Sequence, residues 1–305
     1  MCAVVALSAL TTTANASLTL TPTGIADGFT LTTFVGGFFG TYGPIAEGIA
    51  PDGNVITGSL LNNKVYVFKD VDGQTLASAV TSVPYTCQTG NCNFAMTTAG
   101  GQVYGAQAFG GTYGHFNSDG TFSPIPGLSG LTSSLGMWAD PVNGHIISAS
   151  SSGLVEINPV AGTFRVINAG LFPDGVSVSA NGSTAYVENG GAIQAYSIAT
   201  GALLNTWFTG HAPDGTGVIS GGTFNGDIVI NNNDGTVVLL DPTTGTFNVI
   251  ANGGTRGDWV SADTNNGTLF LSQYDQVARL TCGPGCSFVP PPRLSLPASC
   301  CWAQE

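Results

Sequence analysis

Cations are nearly missing from this sequence: of 305 residues only 6 are Lys or Arg, against 18 Asp or Glu, for a formal net charge of -12. A surface so poor in positive charge cannot release many phosphate counterions or sit on an anionic headgroup layer, which argues against nucleic acid and acidic membranes as partners. Long apolar runs are missing too, since no stretch reaches the roughly 18 residues that suggest a transmembrane helix. The three histidines, His115, His145 and His211, are scattered, so no Cys/His set with zinc spacing forms. No amphipathic helix stands out, and nothing resembles a nucleophile elbow, a P-loop or a dinucleotide fingerprint. Glycine is plentiful, at 44 positions beside an apolar fraction of 43%. That apolar content excludes disorder, and the lack of a three-residue Gly period excludes collagen. The length allows one large domain or two small ones.

Both ends read as processing segments. The apolar stretch 3–10 followed by Ala14-Asn15-Ala16 has the layout of a secretory signal peptide over residues 1–16, with maturation before Ser17. No Lys or Arg precedes the apolar run, so the written start is expected to lie inside the true signal. Cysteine usage agrees with export. With Cys2 set aside, six remain: Cys87 and Cys92, Cys282 and Cys286, and the vicinal Cys300 and Cys301. Local disulfides Cys87–Cys92 and Cys282–Cys286, formed in an oxidising compartment, are the expectation. The turn residues Gly283-Pro284-Gly285 between the second pair would let that bridge clip a hairpin.

The chain is organised by a repeat. A glycine turn followed by an apolar strand begins at Gly53, Gly101, Gly144, Gly182, Gly226 and Gly267. Gly53 and Gly267 are 214 residues and five intervals apart, about 43 residues per unit. A second strand follows each at a steady offset, as in 64–68, 154–157, 192–196, 236–240 and 276–280, with a weaker counterpart at 112–116. A turn and a third strand then follow, most clearly at 158–164 and 241–247. Short strands rich in Val, Ile, Phe, Tyr and Thr, split by Gly, Asn, Asp and Pro turns, predict an all-β chain. Four such strands per unit describe the blade of a β-propeller. Six blades are countable over residues 17–288, with seven as the alternative. The sixth unit has no room for an outer strand before Pro290-Pro291-Pro292. The segment 29–35, which precedes the first unit and reads like the outer strands elsewhere, is expected to pair with it, close the ring and remove an exposed edge.

The starts of the units, Ala46-Glu47-Gly48-Ile49-Ala50, Phe172-Pro173-Asp174-Gly175-Val176 and Ala212-Pro213-Asp214-Gly215-Thr216, with Asp258-Trp259-Val260-Ser261-Ala262-Asp263 as a looser match, resemble propellers of the NHL, gluconolactonase and streptogramin-lyase-like group. The stretches 253–258, 265–271 and 279–286 resemble exported bacterial propellers that end in a PEP-CTERM sorting signal. That resemblance implies a Gram-negative cell envelope or secreted location. Val289-Pro290-Pro291-Pro292 begins such a signal, but the tail 289–305 then lacks its apolar helix and basic residues, as a disrupted signal would.

Equivalent positions at the start of each innermost strand converge at one mouth of a propeller channel. Here they hold Glu47, Asn93, Asp174, Asp214 and Asp258, with Leu135 breaking the series. The gluconolactonase resemblance implies that a Glu, Asn and Asp set at such places holds a divalent cation, and oxygen ligands suit Ca²⁺ or Mg²⁺. Carboxylates this close need a cation or raised pKa values. The competing reading is that Asp-Gly and Glu-Gly are corner residues accepting local backbone bonds. His211, near Asp214, is the one histidine placed for the general base that the lyase resemblance implies. Arg256 is expected to pair with Asp258, and Lys69-Asp70-Val71-Asp72-Gly73, lacking the full acid set of a Ca²⁺ loop, to be a hairpin turn. The expected function is that of an exported, monomeric envelope or matrix module binding a small molecule, glycan or matrix component. The alternative is a metal-dependent, lactonase-like hydrolase or lyase acting at the channel mouth.

Overall fold

The computed structural model describes residues 17–38, 42–59, 63–85, 94–107, 111–171 and 173–290. Six antiparallel sheets stand around a common axis as the blades of a β-propeller. From the axis outward, blade I runs Pro44–Ile49, Val55–Ser59, Lys64–Phe68 and Thr81–Pro84, and blade II Phe94–Ala99, Gln102–Gln107, Tyr113–Phe116 and Phe122–Pro124. Blade III is Ser134–Ala139, Ile146–Ser150, Gly153–Asn158 and Thr163–Asn168, and blade IV Asp174–Val178, Thr184–Asn189, Ala192–Ser197 and Leu203–Trp207. Blade V comprises Pro213–Val218, Ile228–Asn232, Val237–Leu240 and Phe247–Asn252, and blade VI Gly257–Ala262, Leu269–Gln273 and Gln276–Thr281. Each inner strand packs beside the next, and that of blade VI returns to that of blade I.

The outer strand of blade VI comes from the other end of the chain. Thr30–Gly36 lies antiparallel to Gln276–Thr281, with Thr30 opposite Thr281 and Gly36 opposite Gln276, so the expected closure is observed. Blade V also gains an N-terminal strand, Thr19–Leu20, paired with Asn252 and Ala251. Between these two strands lies one turn of helix, Pro22–Ala26, which the sequence reading did not anticipate. Its signals are local rather than periodic: Thr21 Oγ accepts from the Gly24 amide at 3.1 Å, and Pro22 occupies the first turn, where its missing N–H costs nothing.

An ion cluster fastens the seam between blades I and VI. Arg279, on blade VI, pairs with Asp70 and reaches Asp72 at 3.3 Å and Asp263 at 3.2 Å. Its guanidinium carbon lies 5.0 Å from the Phe34 ring centre and 5.1 Å from that of Phe270. The Lys69–Gly73 turn is thus a strap over the closing strand. Its acids are spent on arginine, and Gln74–Thr75 continues it parallel to Val35 and Gly36.

The repeat glycines have a stereochemical role. Gly53, Gly101, Gly144, Gly182, Gly226 and Gly267 all have φ between 71° and 96°, which side chains with a Cβ rarely adopt. Burial then sorts the strands. Pro44–Ile49 and Pro213–Val218 are buried along their whole length, whereas outer strands such as Thr163–Asn168 are mostly exposed.

Candidate functional site

The inner strands meet at a narrow axis, and small residues make that possible. A Cβ on Gly215 would fall 2.4 Å from the Asp258 carbonyl oxygen, and one on Gly175 would fall 2.1 Å from that of Asp214. The glycines after Asp174 and Asp214 therefore let the next blade approach, which carries the acids of blades IV, V and VI toward one another. Inner strands I, IV, V and VI also carry a register break at or beside the acid, and inner strand III carries one at Leu135. Such bulges re-aim side chains. At blade I the break falls at Ala46, held at φ 62°.

Four of the five expected site residues come together. Glu47 is wholly buried; its amide donates to Ser261 Oγ at 3.2 Å, and its Oε1 accepts from Ser272 Oγ at 2.8 Å. Its Oε2 has no partner among the described residues. Burial, opposed by the serine bonds and reinforced by Asp258, pushes the Glu47 carboxyl up to about 8. Asp174, whose Oδ1 accepts from the Gly175 amide at 3.0 Å, is pushed up to about 7 by burial and then by the charge of Asp258. Asp214 is raised well above its ordinary value by burial and by Asp258 and Asp174. Asp258 is raised by burial against the opposing pull of Arg256. Asn93 lies outside the described residues, as do Cys87 and Cys92, and Leu135 occupies the equivalent position of blade III.

Arg256 pairs with Asp258, as expected, through Nη1 at 2.5 Å. It also spans to Asp214 of the neighbouring blade through Nη2 at 3.2 Å. The Tyr42 ring lies 4.9 Å from its guanidinium carbon. Among the described residues no three His, Cys, Asp or Glu side chains gather in a set able to hold a metal ion. With Arg256 between two of the four acids, these side chains do not fit a resident divalent cation. The gap bordered by Asp214, Thr216 and Trp259 is too narrow for a water molecule. Trp259, from blade VI, shares a buried cluster with Ala46, Met96 and Met137 of blades I to III.

His211 is not turned to Asp214. Its Nδ1 lies 2.7 Å from Asp234 Oδ2. The sequence reading missed Ser261 and Ser272 as partners of Glu47, and Asn231, which is buried and donates to the carbonyls of Trp259 and Ser272 at 3.3 and 2.9 Å. Their available signal was a polar residue near the end of a strand rich in apolar residues.

No family model matches the chain, and no curated protein does. Solved structures do. A gluconolactonase from Xanthomonas campestris is 14% identical over 86% of this chain and 94% of its own, with a TM-score of 0.64. A second chain assigned as a gluconolactonase is 15% identical over 87% and 98%, with a TM-score of 0.60. A streptogramin B lyase is 13% identical over 84% and 98%, with a TM-score of 0.53. At such identities the likeness is one of fold, which matches the propeller group suggested by the blade motifs.

Proposed function

We propose that this chain is an enzyme of the lactonase or lyase type that acts on a small molecule at the mouth of the ring. The observation that carries the reading is the convergence of Glu47, Asp174, Asp214 and Asp258 from four separate blades. Gathering buried like charges is costly, and a purely structural axis would be cheaper to fill with apolar side chains. The neighbours in fold, two of lactonase and one of lyase type, are in keeping with it. In a hydrolysis, Asp174 is the group suited to take the proton of an attacking water, because its value of about 7 lies near the working pH. Water adds to the lactone carbonyl, the ring C–O bond breaks, and the released alkoxide takes up a proton. Export to the envelope belongs to the same proposal and is supported by the Cys282–Cys286 disulfide.

A binding module is the second reading. It is favoured by apolar side chains exposed on the outer strands of blades III to V, namely Phe164, Val166, Leu203, Leu204 and Phe247. The two readings part in a pH-stat assay against a panel of small lactones, with and without added divalent ions. The enzyme reading expects ring opening that Asp174→Asn slows by about 100-fold or more, as loss of a general base does. No turnover of any lactone, or equal turnover by the variant, would leave the binding reading.

A further inference from the structure

We propose that Arg256 is the resident cation of this centre, its guanidinium holding the place and supplying the charge that a divalent ion would otherwise provide. The inference rests on reading the acid cluster as a reaction site and concerns what neutralises it. One arm of the guanidinium binds Asp258 at 2.5 Å and the other binds Asp214 at 3.2 Å. The clamp therefore crosses from blade VI to blade V and ties together the two inner strands that bring these acids to the axis. A Ca²⁺ ion needs its carboxylate oxygens about 2.3–2.6 Å from a single point. An arginine fork instead keeps the oxygens spread across its own width and satisfies each with an N–H.

The neighbourhood is built around the guanidinium. The Tyr42 ring lies against it, and the charge of Arg256 also reaches Asp174 and opposes the rise of that carboxyl. Composition adds weight, because a chain with 6 cations in 305 residues has committed one of them to this axis. Arginine stays protonated throughout the working range, so the charge cannot be removed by a chelator. In the hydrolysis proposed above Arg256 is a positioning residue. It holds Asp214 and Asp258 in place and opposes the rise of both carboxyls.

The test is calorimetric titration of the folded, chelator-washed full chain with Ca²⁺ and with Mg²⁺. Wild type is expected to show no saturable uptake of either ion. Arg256→Met, which strips the acids of their cation, should gain saturable Ca²⁺ binding and a melting temperature that rises with Ca²⁺ and falls back with EDTA. Adding Asp214→Asn should remove that gain. Arg256→Lys, which keeps the charge, should ignore Ca²⁺ as wild type does. A merely structural arginine would not produce this exchange of one cation for another. Saturable binding by wild type that Asp214→Asn abolishes overturns the proposal, as does a folded Arg256→Met that ignores both ions. If Arg256→Met does not fold, wild type and Arg256→Lys decide between the same outcomes: indifference in both upholds the proposal, and binding in either overturns it. Because the readout is ion uptake, a chain that opens no lactone can still pass or fail.

Discussion

Glu47 concentrates the physics of the site in one side chain. Its carboxyl gives up its proton near the ordinary value of 4.5 in the unfolded chain and near 8 in the folded one. Between those values folding takes up a proton, so stability falls as pH rises and the loss levels off above about 8. This one group contributes a slope of up to about 1.4 kcal/mol per pH unit. Glu47→Gln keeps the carbonyl that accepts from Ser272 and removes the titration. Urea melts should therefore find variant and wild type alike below about pH 4.5 and the variant increasingly the more stable as pH rises to about 8. A stability difference between variant and wild type that stays constant from about pH 4.5 to about 8 would mean that the carboxyl titrates at its ordinary value in the fold. At this scale the sequence was half readable. Glu47, Asp174 and Asp214 could be named from their places before glycines, Asp258 from a looser match at the start of its unit, and the Arg256–Asp258 pair from its spacing of two. The reach of Arg256 to Asp214, 42 residues away, and the two serines on Glu47 depend on blade packing that no local pattern encodes.

Strands and their joins were the more legible level. Each of the six glycine turns found in the sequence opens the second strand of a blade, because a left-handed residue is a local demand with a local signature. The closing strand could be placed by counting, since blade VI lacked an outer member and 29–35 had no other. The Thr19–Leu20 strand, the helical turn Pro22–Ala26 and the strap over the seam were not legible, being too short to show a period. The strap carries the largest energetic claim at this scale. Arg279 is nearly buried and serves three acids, of which Asp263 is wholly buried. Arg279→Met should therefore cost about 3–5 kcal/mol in chemical denaturation, the usual effect of breaking a buried pair. Arg165→Met, removing a half-exposed partner of Glu156 that leaves His145 in place, should cost about 0–1 kcal/mol. Equal losses from both would show that the seam is held by packing rather than by charge.

For the whole molecule, the same shortage of cations that argues against nucleic acid shapes the site. With only 6 cations for 18 acids, an acidic axis has to be held largely by protons and by one guanidinium, and the closed ring supplies the burial that keeps those protons on. The fold class followed from a period of about 43 residues, whereas the charge state of the axis follows from geometry alone. Infrared difference spectroscopy reads those protons, by comparing wild type with Glu47→Gln and with Asp174→Asn at mildly acidic pH, below the values of about 8 and about 7. Wild type is expected to show a protonated-carboxyl carbonyl band, part of which disappears in each variant. Two carboxylates, with no protonated band lost in either difference spectrum, would contradict it.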